Sequence, residues 1–90
     1  MISYDDVKRV ANLKKHGFDF VGAEVIFEGW TLTREDRRGI YGEQRLQTLG
    51  AWHGVVVVVV HTPRDEVDHI ISIRKAERHE ERIYWQYCTG

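Results

Sequence analysis

Six consecutive valines, Val55 to Val60, limit this chain more than any other feature in it. Branched Cβ atoms crowd a helix but pack well on a pleated surface, so the run is a strand, and its lack of polar alternation makes it a central one. Pro63 is expected to stop it. Arg64-Asp65-Glu66 should then turn the chain into a second strand from Val67 to Arg74. Pairing Thr62 with Val67 would place Val56, Val58, Val60, His69, Ile71 and Ile73 on one face, and His61, Asp68, Ile70, Ser72 and Arg74 on the other. The valine run is far shorter than the roughly 20 apolar residues that span a bilayer, and Met-Ile-Ser-Tyr-Asp-Asp is not a basic-then-apolar leader. No membrane contact and a cytoplasmic location are therefore expected.

The flanking segments supply the remaining elements. Asp5 and Asp6 precede a stripe of Val7, Val10 and Ala11, and Lys14-Lys15-His16-Gly17 closes it, with acids first, bases last and glycine beyond, as a helix requires. Asp19 is placed to cap a second helix over Phe20 to Phe27, ending at Gly29. After Trp30 the texture changes to sheet: Thr31-Leu32-Thr33, a charged loop with Gly39 and Gly42, and the alternating stretch Gln44 to Leu49. Trp52-His53-Gly54 forms the turn into the valines. Lys75 to Tyr87 predicts a final helix with Ala76, Ile83, Tyr84 and Tyr87 inward. The expected fold is a single α+β domain over residues 1–90, in the order α-α-β-β-β-β-α, its four strands antiparallel.

Composition narrows the function. Thirteen basic and fourteen acidic side chains leave no global field for nucleic acid, so direct specific DNA binding is not expected. Cys88, the only cysteine, gives neither a disulfide nor a cysteine-built zinc site, which suits a reducing compartment. His16, His53, His61, His69 and His79 fall on different elements without ligand spacing, and the glycines form no phosphate cradle, so no metal and no cofactor are expected. Ser3, Ser72 and Cys88 lack a recognisable neighbouring base. What remains near strand ends and the last helix is Arg45, His61, Arg64, Asp68, Arg74, Lys75, Arg78 and Glu80. RNA cleavage is the chemistry that such groups suffice for. The ribose 2′-hydroxyl is its own nucleophile, and the protein adds a base, an acid and fixed positive charge. Arginine stays protonated and serves as the charge; histidine or glutamate would move the proton.

Asn12-Leu13-Lys14-Lys15-His16-Gly17-Phe18-Asp19-Phe20, Gly42-Glu43-Gln44-Arg45, Val60-His61-Thr62 with Arg64, and Ile70 through Tyr84 with its Ile-Ser-Ile-Arg-Lys-Ala-Glu-Arg-His-Glu core together resemble the BrnT family of bacterial toxins. The resemblance implies a RelE-like fold and an endoribonuclease that stops translation. It also implies a type II toxin–antitoxin arrangement, in which a small DNA-binding antitoxin (BrnA-like) restrains the toxin and represses their operon. By position, Arg64, Arg74 and Arg78 would hold the phosphate, with Arg74 and Arg78 reaching a common anion where the last strand meets the last helix. Glu80 or one of His16, His61 and His69 would exchange protons. Lys15, His16, Arg45 and Lys75 would contact the RNA. His69 stands where many relatives carry arginine before Ile-Ile-Ser, and so brings an imidazole to that position. The rival expectation is a non-catalytic module that docks the antitoxin as corepressor.

Overall fold

The computed structural model describes residues 1–89. It contains β1 (Ile2–Tyr4), α1 (Asp6–His16), α2 (Glu24–Glu28), β2 (Leu32–Glu35), β3 (Leu46–Trp52), β4 (Val55–Arg64), β5 (Val67–Lys75) and α3 (Arg78–Thr89). The strands form one sheet in the order β1-β5-β4-β3-β2. The valine strand is at its centre. The α+β class stands, but the sheet has five strands and is mixed, because β1 runs parallel to β5.

α1 follows its signals closely: the Asp5 carboxylate accepts from the Val7 and Lys8 amides, and Gly17 ends the helix at φ +79° with its N–H on the Leu13 carbonyl. Its apolar stripe, however, faces out, Val7 being 79% exposed; the residue turned to the sheet is Asn12. The Asn12 amide is used like a strand's peptide unit: Nδ2 donates to the Ile73 carbonyl at 2.9 Å and Oδ1 accepts the Ile73 N–H at 3.1 Å. The second helix is shorter than expected. Asp19 caps only a turn, accepting from the Val21 amide, and the helix proper starts at Glu24. α2 rests on β3 at Gly50, where an added Cβ would come within 2.5 Å of Ile26 Cγ2.

The His53-Gly54 turn joins β3 to β4 with both residues at positive φ, the geometry of a two-residue hairpin. Pro63 does not stop β4, which continues to Arg64 before Asp65 and Glu66 turn the chain. Beyond His61 the strand has no β3 neighbour, and opposite Pro63 the Asp68 amide bonds outward to Met1, so proline's missing N–H breaks no ladder bond. The turn pairs Thr62 with His69, and a bulge at Ile71 changes the parity: Val60 pairs with Ser72 but His61 with Ile70. His61, Asp68 and Ile70 share a face as expected. Arg74 and Ser72, by contrast, share theirs with Val58 and Val60, and Ile73 joins Val57 and Val59 on the opposite side.

Two apolar layers result. Phe20, Ala23, Ile26, Trp52, Val57, Val59, Ile70 and Ile73 pack beneath α1 and α2, while Val56, Val58, Ala76 and Tyr84 pack beneath α3. α3 presents Tyr84 inward, its hydroxyl donating to the Trp30 carbonyl, but Ile83 and Tyr87 are exposed instead of buried. No described helix is long and apolar enough to cross a membrane.

Candidate functional site

Successive rows run across the α3 side of the sheet. Leu32, Leu49, Val58 and Arg74 make one, and Arg34, Gln47, Val60 and Ser72 the next. In the third, Thr62, His69 and Ser3 follow, with Arg45 continuing β3 beside Thr62. α3 packs over the first row at Val58 and over the neighbouring Val56. The segment between Asp36 and Arg45 lies against the others: the Asp36 amide donates to the Arg45 carbonyl, the Arg45 guanidinium sits 3.9 Å over the Tyr41 ring, and Glu43 reaches Arg64 on β4. One side of the sheet thus carries Arg34, Arg45, Arg64, Arg74 and His69.

Glu43 is the focus of the outer group. Arg64 Nη2 donates to it at 3.0 Å and Nε at 3.4 Å. Its carboxyl is held below the usual range first by those bonds, and further by the positive charge of Arg64 and, more weakly, of Arg45. Beneath it, Arg45 Nε and Thr62 Oγ1 are buried without hydrogen-bond partners. His69 Nδ1 shares a 2.8 Å hydrogen bond with Ser3 Oγ, and Nε2 has no hydrogen-bond partner among the described residues. Partial burial, then Arg64 and Lys8, lower its basicity, so the imidazole is neutral at pH 7.

Arg74 and Glu80 meet, but as a closed pair. Nη1 and Nη2 donate to the two carboxylate oxygens at 2.8 and 2.9 Å, and Glu80 Oε1 also accepts the Glu77 amide at 2.8 Å. Glu80 lies three residues after Glu77, the residue preceding α3, so it closes the first turn as the acidic half of a capping box. These bonds hold its carboxyl low and deprotonated. Arg78, at the start of α3, is exposed and joins no ion pair among the described residues. Lys75 pairs with Val57 and lies on the face opposite Arg74. Lys15 and His16 lie at the end of α1, where burial and the charges of Lys15 and Arg74 lower the His16 pKa.

His61 and Asp68 do meet across the hairpin, on the α1–α2 side and away from the arginines. Asp68 accepts from His61 Nδ1 at 2.9 Å, His61 Nε2 meets Thr48 Oγ1 at 2.6 Å, and Thr48 meets Thr33 at 2.8 Å. The ring is buried against Phe27, and burial lowers its pKa against the opposing pull of Asp68.

Sequence reasoning missed Arg34, Asp36, Arg38, Glu43 and Gln47. Asp36 is fully buried, receives two 2.8 Å bonds from Arg38, and has its carboxyl lowered to about 2 by that arginine, by the Arg38 amide and by Gln47. The Leu32-Thr33-Arg34 alternation could have placed Arg34 on the cationic side; the loop residues carry no such period.

No curated protein matches the chain. A family model described as "Ribonuclease toxin, BrnT, of type II toxin-antitoxin system" matches residues 4–80, which takes in every element from the start of α1 to the Glu80 cap together with all the arginines above. A match of that extent means that the chain belongs to the BrnT family of ribonuclease toxins of type II toxin–antitoxin systems.

Proposed function

We propose that the chain is a metal-independent endoribonuclease that arrests translation, and that the scissile phosphate sits beside Arg64, on the side of the sheet that also carries Arg45 and His69. The Arg64–Glu43 pair carries the reading, because a guanidinium that holds an internal carboxylate by two hydrogen bonds also suits a phosphodiester. His69 Nε2, on a neutral ring fixed by Ser3, takes the proton of the ribose 2′-hydroxyl. The 2′-oxygen bonds to phosphorus, the bond from phosphorus to the 5′-oxygen breaks, and solvent water protonates that oxygen as it leaves. The products are a 2′,3′-cyclic phosphate and a 5′-hydroxyl. Arg64 and Arg45 stabilise the charge that accumulates on the phosphoryl oxygens. Glu80 is engaged and held ionised, and His61 faces the other layer, so both leave the proton-transfer role to His69. Arg74 braces the edge of the site through Glu80, and the exposed Arg78 and Lys15 contribute positive potential around it. A small DNA-binding antitoxin is the restraining partner, since a chain with 13 basic and 14 acidic side chains lacks a net attraction for DNA.

The test is cleavage of RNA by the purified protein in excess chelator, with the new ends analysed. Cyclic phosphate ends are expected, and Arg64→Ala or His69→Ala should slow the reaction by roughly 10²–10³-fold. Activity that disappears on chelation and returns with magnesium or zinc would overturn the proposal.

A further inference from the structure

A cavity of about 300 Å³ opens between α3 and the β2–β3 edge of the sheet, next to the proposed phosphate site but separate from it. Leu32, Leu49 and Val58 line its sheet side, and Ile83 and Tyr87 its helix side. A second, more open cleft of about 310 Å³ adjoins it, lined by Arg34, Arg37 and Arg38, and Arg34 and Gln47 border both. An apolar slot is therefore continuous with a cationic cleft.

Two of the polar groups at the slot are already engaged: Gln47 accepts from Arg34 Nε at 3.0 Å, and Glu80 is held by Arg74 and the Glu77 amide. His79 stands on the helix side, its Nδ1 3.6 Å from Glu77. An inserted group would meet chiefly apolar surface, with the Tyr87 ring for a flat face and the His79 imidazole in the lining. In the cleft, Asp36 is neutralised by Arg38 and Glu35 by Arg37, whereas Arg34 uses only Nε and keeps its terminal nitrogens for an anion. The volume is at the lower end of small-molecule sites, roughly 300–1,000 Å³.

We infer that this slot is a nucleobase subsite of the RNA substrate, with a phosphate of the same nucleotide lying against Arg34. The inference rests on the ribonuclease reading and adds where a base flanking the cut is held. The base is held by its face, against apolar surface and the Tyr87 ring, a mode that tolerates different bases.

Binding of a non-cleavable 2′-O-methyl oligonucleotide tests this apart from catalysis, compared with the same oligonucleotide made abasic at one nucleotide after another. The intact probe should bind more tightly than the abasic probe at one position, by roughly five- to a hundredfold, the range of a single base stack. Ile83→Trp, which fills the slot from the exposed side of α3, should erase that difference and leave abasic binding unchanged; Leu32→Trp does the same from the opposite wall. Thermal melts establish that each variant is folded. If wild-type protein binds intact and abasic probes alike, or if both folded variants keep the full difference, the slot is not a base site although the ribonuclease reading survives. If wild-type protein binds neither probe, both fall. If the variants lose antitoxin binding but keep the base-dependent difference, the slot belongs to the protein partner and the inference is overturned.

Discussion

Arg74 and Glu80 hold each other by two parallel hydrogen bonds across the junction of β5 and α3, and the same Glu80 carboxylate caps the helix. Removing the arginine strands a largely buried carboxylate. Arg74→Ala should therefore cost about 1–3 kcal/mol of stability in urea denaturation, whereas Arg78→Ala on the exposed helix surface should change it by about 0.5 kcal/mol or less. Equal midpoints for the two variants would show that the pair is ornamental.

Glu43→Gln removes the internal anion but keeps its shape. RNA affinity should rise, and the dependence of binding on salt should steepen because one more cationic group becomes available to phosphate. Titration of a non-cleavable oligonucleotide at two ionic strengths decides it; unchanged or weaker binding would place the phosphate elsewhere.

Acid should attack the Asp36–Arg38 pair late. The folded carboxyl titrates at about 2 against an ordinary value of 3.8, so its stabilising contribution is complete above about pH 4 and is lost as pH falls towards 2. Asp36→Asn should remove that part of the acid dependence and lower stability at pH 7 by about 1–2 kcal/mol, the arginine partner being well solvated. Melting curves from pH 2 to pH 7 would reveal it, and parallel profiles for variant and wild type would refute it.

The His61 relay behaves differently because burial favours its neutral form. With the folded pKa lowered, the unfolded chain binds the extra proton first, so this contribution is present at pH 7 and declines as pH falls below about 6.5. Thr48→Val leaves the His61 ring without its 2.6 Å partner and should cost about 1–2 kcal/mol while cleavage by folded protein is retained. Loss of cleavage in a folded variant would tie the relay to the reaction.

Elements fixed by neighbouring residues were legible in the sequence: the Asp5 and Gly17 caps, the His53-Gly54 turn and the valine strand each depend on local geometry. β1 was not, because three residues carry too little period to register and Ile2–Tyr4 is a strand only through parallel pairing with a segment sixty-six positions away. Nor could the bulge at Ile71 be read, and that single extra residue is what moves Arg74 to the α3 side. The candidate site divides in the same way. Family resemblance pointed to Arg45, Arg64 and Arg74, but Glu43 and Arg34 acquire meaning only when the strands lie side by side.

Asn12 has a consequence for assembly. β1 occupies the outer edge of β5 from Asp68 to Ile70, and the Asn12 amide occupies it at Ile73, so that border offers little backbone for another strand. The opposite border, β2, is four residues long and has no neighbour on its far side. A fibre grown by strand addition needs two receptive borders on every subunit. The borders of this sheet are β1 and β2, three and four residues long, so each offers only a short template for an added strand.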